Sequence, residues 1–252
     1  MTKAALKAAI LGATKGMGRE LARQMAARGD RLFLLGRDAG DLARSAADLG
    51  ARAGKDAAGF GHAVCDLERP DSFAPALDAA EAALGGLDAV VVTAGMFASQ
   101  AELEADVELA RRVATVNYAN TLAFCEHARR RLLARGGGRL VVFSSVAGER
   151  GRKPVVIYGS SKAGLSAYLE GLDHKFHAQG LRVVCVKPGF VKTSMTAGLP
   201  APPFAGEPEQ VARQVLARID RPRPVVYTPR MWALVMWIIR LLPRFVMRRI
   251  NF

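Results

Sequence analysis

Residues 7–18 read KAAILGATKGMG, a short apolar run that ends on a glycine-rich turn and leads into a helical pattern over 16–28. Glycine at Gly12, Gly16 and Gly18, with Ala13, Thr14, Lys15 and Met17 between them, lets the backbone turn tightly. It also lets the backbone come close to a bound group. The helix that follows presents unpaired N–H groups and the positive end of its dipole, which suits a phosphate. The same run without a strand before it would be an ordinary tight loop. Placed between strand and helix at the start of a domain, it predicts a pyrophosphate-binding turn.

Outward from this turn, apolar runs alternate with amphipathic stretches. Strands are expected near 7–12, 31–35, 60–65, 87–93, 139–144, 181–187 and 224–228, and helices near 16–28, 38–50, 71–84, 104–135, 155–178 and 208–219. Pro208 fits the first turn of the last of these. The alternation predicts an α/β fold, a doubly wound parallel seven-stranded sheet of Rossmann type, with ligands at the carboxyl ends of the strands. The 252 residues suit one such domain, expected over 1–228, with a helical extension over 229–252. Three scattered cysteines suit neither a disulfide framework nor a metal site, and a reduced cytoplasmic location is expected. The first residues are too short an apolar run for a signal peptide. A net charge of +13 suits a phosphorylated ligand or an anionic membrane; without a nucleic-acid motif, no nucleic-acid partner is expected.

The tip of the second strand discriminates between cofactors. An acid there would bond the ribose hydroxyls of NAD, whereas a base would meet the 2′-phosphate of NADP. The strand ends in Gly36-Arg37-Asp38. Arg37, with Lys15 in the glycine turn, favours NADP(H); Asp38 leaves NAD open.

Tyr158 and Lys162 lie four apart in YGSSK and share a helix face. A phenol of pKa about 10 is a poor base near neutrality. A neighbouring ammonium stabilises the phenolate, and in reduction the same phenol gives its proton to a carbonyl oxygen. Ser145, after the fifth strand, can hydrogen-bond that oxygen as charge develops. These residues point to carbonyl–alcohol interconversion.

With GATKGMG at 12–18, Asp66-Leu67, Ala94-Gly95, Asn117, Ser145, Tyr158/Lys162 and Pro188-Gly189-Phe190-Val191-Lys192-Thr193, the chain resembles the short-chain dehydrogenase/reductase family over residues 5–230. The resemblance implies a catalytic set of Asn117, Ser145, Tyr158 and Lys162, with Asn117 holding a water in a proton relay through Lys162. It implies that Lys162 binds the nicotinamide ribose, that Asp66 and Leu67 meet the adenine, and that Ala94 and Gly95 line the cofactor. It implies that Pro188, Gly189, Val191 and Thr193 cradle the nicotinamide and phosphate, and that the chain forms a homodimer or homotetramer. Family spacing selects Ser145 over Ser144. Thr93 stands where the family usually has asparagine, which puts local packing in question.

The last stretch, PRMWALVMWIIRLLPRFVMRRINF, has an unbroken apolar part only from Met231 to Ile239, far short of the ~20 residues of a membrane span. Arg240, Arg244 and Arg248 recur every four residues, which would align them on one helix face unless Pro243 divides it. Arginines beside tryptophans suit a helix lying on an anionic membrane; packing against a partner subunit is the other reading. With KPGFVKTSMTAGLP upstream, the tail is similar to the decaprenylphosphoryl-2-keto-ribose reductase subgroup. That implies a lipid-linked ketone substrate at the cytoplasmic membrane face. Residues 193–208 are expected to cover the substrate, offering Met195, Leu199 and Phe204 as apolar surface. A soluble 3-oxoacyl or small-ketone reductase and a non-catalytic NADP-binding regulator remain the rival readings.

Overall fold

The computed structural model describes residues 5–54, 60–198, 200–202 and 204–250. Seven parallel strands form one sheet: β1 (Lys7–Leu11), β2 (Arg31–Gly36), β3 (Gly61–Val64), β4 (Ala89–Val92), β5 (Gly138–Phe143), β6 (Leu181–Pro188) and β7 (Val225–Thr228). Their order is β3-β2-β1-β4-β5-β6-β7, so the winding direction reverses between β1 and β4. Almost every residue of β1, β2 and β4 is buried, as a sheet covered on both faces requires. Successive side chains part to opposite sides. Ala8, Ile10, Leu32 and Leu34 face a core closed by α1 (Gly16–Ala27), α2 (Ala39–Ala53) and α8 (Pro208–Asp220). Ala9, Leu11, Phe33 and Leu35 face the other, closed by α3 (Phe73–Leu84), α6 (Thr121–Ala134) and α7 (Val156–Phe176).

The single helix expected over 104–135 is several pieces. α4 (Gln100–Ala105) starts earlier, at a reciprocal cap in which Ser99 accepts from the Glu102 N–H and Glu102 reaches back to the Ser99 N–H. Asp106 then leaves helical geometry and caps α5 (Val107–Ala114) through the Leu109 N–H. A π-helical turn over Thr115–Asn120 joins α5 to α6. Such turns shift side-chain phase and cluster at functional sites; this one carries Asn117.

The tail divides at Pro243, where the sequence offered a break. α9 (Met231–Leu241) ends before Pro243, which precedes the short α10 (Arg244–Met247). Arg240 therefore does not continue one helical row into Arg244 and Arg248. Nor is α9 free of the domain: Met236 and Ile239 are buried against Val146, with Tyr227, Trp232, Val235 and Met247 around them. Its opposite side leaves Met231, Leu234, Trp237, Ile238 and Leu241 exposed. Among the described residues no helix is long and apolar enough to cross a membrane.

Docking of α9 predicts unequal costs along its length. Met236→Ala, at a fully buried position, should lower unfolding free energy by about 2–5 kcal/mol. Trp237→Ala, one residue on but 60% exposed, should stay within about 0.5 kcal/mol. Urea denaturation of both variants checks it, and equal costs would mean that α9 is not seated this way.

Candidate active site

The site assembles where β1 and β4 part. Thr93, following β4, shares its hydroxyl proton between the carbonyls of Leu11 (3.1 Å) and Gly12 (3.0 Å), tying the end of β4 to the glycine turn. Thr93 thus supplies a cross-strand link of its own. It also explains the glycines: a Cβ on Gly18 would fall 2.2 Å from the Gly12 oxygen and 2.3 Å from Thr93 Oγ1, and one on Gly12 would fall 2.6 Å from the Ala94 nitrogen. α1 then begins with no side-chain cap at Lys15, whereas α2 is capped by Asp38. An uncapped helix start behind a turn packed too closely for any side chain fits a pyrophosphate. The residues present therefore fit a dinucleotide. Gly12, Gly16, Met17 and Gly18 would hold its phosphates, and Thr193, whose Cγ2 lies 3.4 Å from where a Gly16 Cβ would be, faces them across the crevice.

At the tip of β2, the Asp38 carboxylate accepts from the Asp41 N–H at 2.6 Å and is committed to starting α2. Arg37 is exposed and helps depress the Glu68 carboxyl, behind the larger effect of Arg112. Lys15 Nζ lies 3.1 Å from Asp41, whose carboxylate also takes Arg44. Thr14 lies beside Gly36, its Cγ2 3.7 Å from where a Cβ would sit. Asp66 Oδ1 closes a local turn on the Glu68 N–H, and Leu67 is a core residue only 4% exposed. Leu67 can therefore offer a ring little beyond its backbone. Val191 is likewise core, 3% exposed.

The residues expected to handle the proton come from three segments. Ser144 and Ser145 part company as their spacing predicts: Ser144 is buried, bonding Ser166 Oγ and the Lys162 carbonyl, and anchors α7 to β5. Ser145 instead accepts from the Ala147 N–H at 3.1 Å, and its hydroxyl works to lower the pKa of the Tyr158 phenol. Its Oγ lies 3.5 Å from the Pro188 carbonyl. Lys162 is 4% exposed and donates to the Phe143 carbonyl at 3.1 Å, its Nζ 5.8 Å from the Tyr158 ring centre. Asn117, fully buried, clamps Met96 by accepting from its N–H (2.8 Å) and donating to its carbonyl (2.7 Å). A Cβ on Gly95 would lie 3.1 Å from Asn117 Oδ1 and 3.5 Å from Lys162 Nζ, so these three meet at one point.

Phe97 and Gln100 contribute contacts that no local pattern announces. Phe97 packs edge-on against Tyr158 with centroids 5.1 Å apart, and Gln100 Oε1 accepts from the Ile157 N–H at the start of α7. Asn120 adds a bond to the Leu67 carbonyl at 2.6 Å; only its place beside Asn117 in TVNYAN hinted at it. Behind the site, Glu149 pairs with Lys187, with Arg240 at 3.2 Å and with the Tyr227 hydroxyl at 3.1 Å. Burial works to raise its carboxyl pKa, but Lys187, Arg240 and Tyr227 outweigh burial and hold it below the usual range.

Burial dominates the titration of the central pair. It pushes the Tyr158 phenol up to about 12, against the pull of the Ser145 hydroxyl, and drives the Lys162 ammonium down to about 8. The expected acidification of the phenol by its lysine is thus not realised in the protein alone. At neutral pH the phenol is protonated, the form required of a proton donor, and Lys162 is still mainly charged. Because Lys162 titrates lower folded than unfolded, the unfolded chain binds more protons between about pH 8 and 10.5. The stability of the parent relative to Lys162→Met should therefore rise with pH across that window and stay flat below it. Denaturant titrations at stepped pH check this, and a flat difference throughout would contradict the buried ammonium.

The comparisons agree with this geometry. A model of the short chain dehydrogenase family matches residues 7–202. An uncharacterised oxidoreductase of Mycobacterium tuberculosis is 36% identical over 242 residues, covering 95% of each chain. A cis-4-hydroxycyclohexanecarboxylate dehydrogenase of Sinomonas cyclohexanicum is 35% identical over 223 residues, covering 86% of this chain and 85% of the relative. Among solved structures, an actinorhodin polyketide ketoreductase with NADPH superposes with a TM-score of 0.76 at 23% identity, covering 88% of this chain and 95% of that one; it shares the fold. The protein belongs to the short-chain dehydrogenase/reductase family, whose members bind a nicotinamide cofactor, and is an oxidoreductase acting on CH–OH or C=O groups.

Proposed function

We propose that the chain is an NADPH-dependent reductase that converts a ketone to a secondary alcohol on an apolar or lipid-linked substrate, of the polyprenyl-phosphoryl keto-sugar type. We further propose that it works at the membrane surface, with residues 1–228 as its catalytic domain and 229–252 as an amphipathic segment. The observation that carries the reaction is the buried Lys162, its Nζ 5.8 Å from the Tyr158 ring centre, with Ser145 close enough to pull on the phenol pKa, at the end of the sheet where α1 starts uncapped.

NADPH, when bound, supplies the hydride; the chain manages the proton. The Tyr158 phenol, protonated at neutral pH, donates to the carbonyl oxygen, and Ser145 hydrogen-bonds the same oxygen as negative charge grows. The Lys162 ammonium stabilises the phenolate left behind. Asn117 holds Met96 and so seats Phe97, whose edge-on packing fixes the tyrosine ring.

For NADPH over NADH, the support is an exposed Arg37 at the β2 tip and an Asp38 carboxylate engaged in capping α2. The ketoreductase neighbour solved with NADPH points the same way. For a ring or lipid-linked ketone, the support is the Sinomonas relative named for a ring alcohol and the exposed Met195 and Phe204 on the covering loop. Leu199, expected beside them, lies outside the described residues. Trp232 reaches this loop by donating to the Phe204 carbonyl at 3.3 Å.

NADPH oxidation against a panel of ketones, including polyprenyl-linked keto-sugars, tests the reading. Tyr158→Phe should slow reduction by about 10²–10⁴-fold while NADPH still binds. Retention of the rate within a few-fold would remove the phenol from the chemistry. Arg37→Asp should shift preference from NADPH toward NADH by at least about tenfold, the worth of one charge-assisted hydrogen bond. An unchanged ratio would remove the 2′-phosphate contact.

A further inference from the structure

A cavity of about 820 Å³ opens beside the catalytic group, bounded by residues that follow Ser145 and Tyr158 but by neither of those side chains. Arg150, Arg152, Lys153, Arg244 and Arg248 line it. The sole acid among the described lining residues, Glu149, directs its carboxylate to Lys187, Arg240 and Tyr227. Val155 and Val156 place the start of α7, a helix of 21 residues with no side-chain cap at Val155, on the same wall. The positive end of that dipole adds to the cations. Arg150 also donates to the Leu242 carbonyl at 2.8 Å, fastening the α9–α10 turn to the catalytic loop and so joining the two walls. Burial pulls the Arg152 guanidinium pKa down, a sign of a low-dielectric setting in which an anion gains more from the cations around it.

Guanidinium forks match phosphate oxygens. What distinguishes a lipid phosphate from a soluble one here is the surface next to the cavity. Phe245, adjacent to Arg244 on α10, is 61% exposed, and Leu241 at 66% and Trp237 at 60% lead from it along α9. An apolar stripe of this kind beside a basic cleft matches an amphiphile with an anionic head. We propose that the cleft seats the phosphate of an anionic lipid at a membrane surface, with the α9 stripe in the acyl layer. The proposal deepens the membrane-surface part of the function proposed above and rests on it for its purpose, though binding itself requires no turnover.

Co-sedimentation of the full-length protein with vesicles tests the cleft. Vesicles of phosphatidylglycerol in phosphatidylcholine should bind, and phosphatidylcholine alone should not. Arg244→Glu/Arg248→Glu, at two exposed positions, should lower that binding at least about tenfold, since each basic residue near an anionic surface contributes on the order of 1 kcal/mol. Arg213→Glu/Arg223→Glu, an equal charge reversal at exposed positions outside the cleft, should change it no more than about twofold. Equal losses in the two variants would overturn the cleft in favour of diffuse charge. Binding of glycerol phosphate at micromolar concentration with no binding to phosphatidylglycerol vesicles would overturn the lipid as ligand, and self-association without vesicle binding would assign the stripe to a second copy. NADPH binding, followed separately by tryptophan quenching, keeps the two readings apart: its loss with vesicle binding intact would count against the reductase alone.

Discussion

A lysine amine taken almost wholly out of water, with one carbonyl at 3.1 Å as its protein acceptor, is the constraint around which the site is built. Burial of a charge with so little compensation costs stability, and its ammonium is correspondingly easy to deprotonate. The surrounding structure holds it there regardless. Ser144 pins the Lys162 backbone to β5, and Gly148 lets the loop after Ser145 press on α7, where a Cβ would fall 2.6 Å from the Ala163 nitrogen. The phenol one turn earlier is brought to Ser145 by the same packing. Functional placement here prevails over local stability.

The sheet supplies the rigidity that makes this possible. Reversal of winding between β1 and β4 opens a crevice that no crossover helix covers, and the Thr93 hydroxyl closes its floor. Gly12 and Gly18 are required less by their turn than by the backbone packed against them. Asn117 acts from the π-helical turn, where the altered helical phase lets its amide clamp both backbone groups of Met96. Substrate-side residues are thus fixed by hydrogen bonds across segments distant in sequence.

The C-terminal segment is two-faced. Met236 and Ile239 complete a small core on Val146, and Trp232 lies over Gly189, where a Cβ would fall 2.0 Å from the indole Nε1. Glu149 couples this segment to the catalytic loop through Arg240 and to the end of β6 through Lys187. The side turned outward is apolar and continues to the basic cleft. A segment that looks like an appendage in sequence is therefore part of the wall behind the active site.

Much of this was legible in the amino-acid order. Strand and helix periodicity, the glycine turn at 12–18, and the Ser145, Tyr158 and Lys162 spacing depend on local backbone geometry, which nearby residues set. The S-x-x-E pattern at 99–102 was an equally local signal for the start of α4, and the expected helix over 104–135 passed it by. Other features depended on which distant segments meet. The break at Pro243 was local and legible, whereas the docking of α9 on Val146, the pairing of Lys15 with Asp41, the Phe97 and Gln100 contacts and the Glu149 hub were decided only by tertiary packing. Periodicity tells which face of an element is apolar; it carries no record of what will stand opposite. The pKa values of Tyr158 and Lys162 illustrate the same division, because desolvation is a property of the closed fold and not of the four-residue spacing.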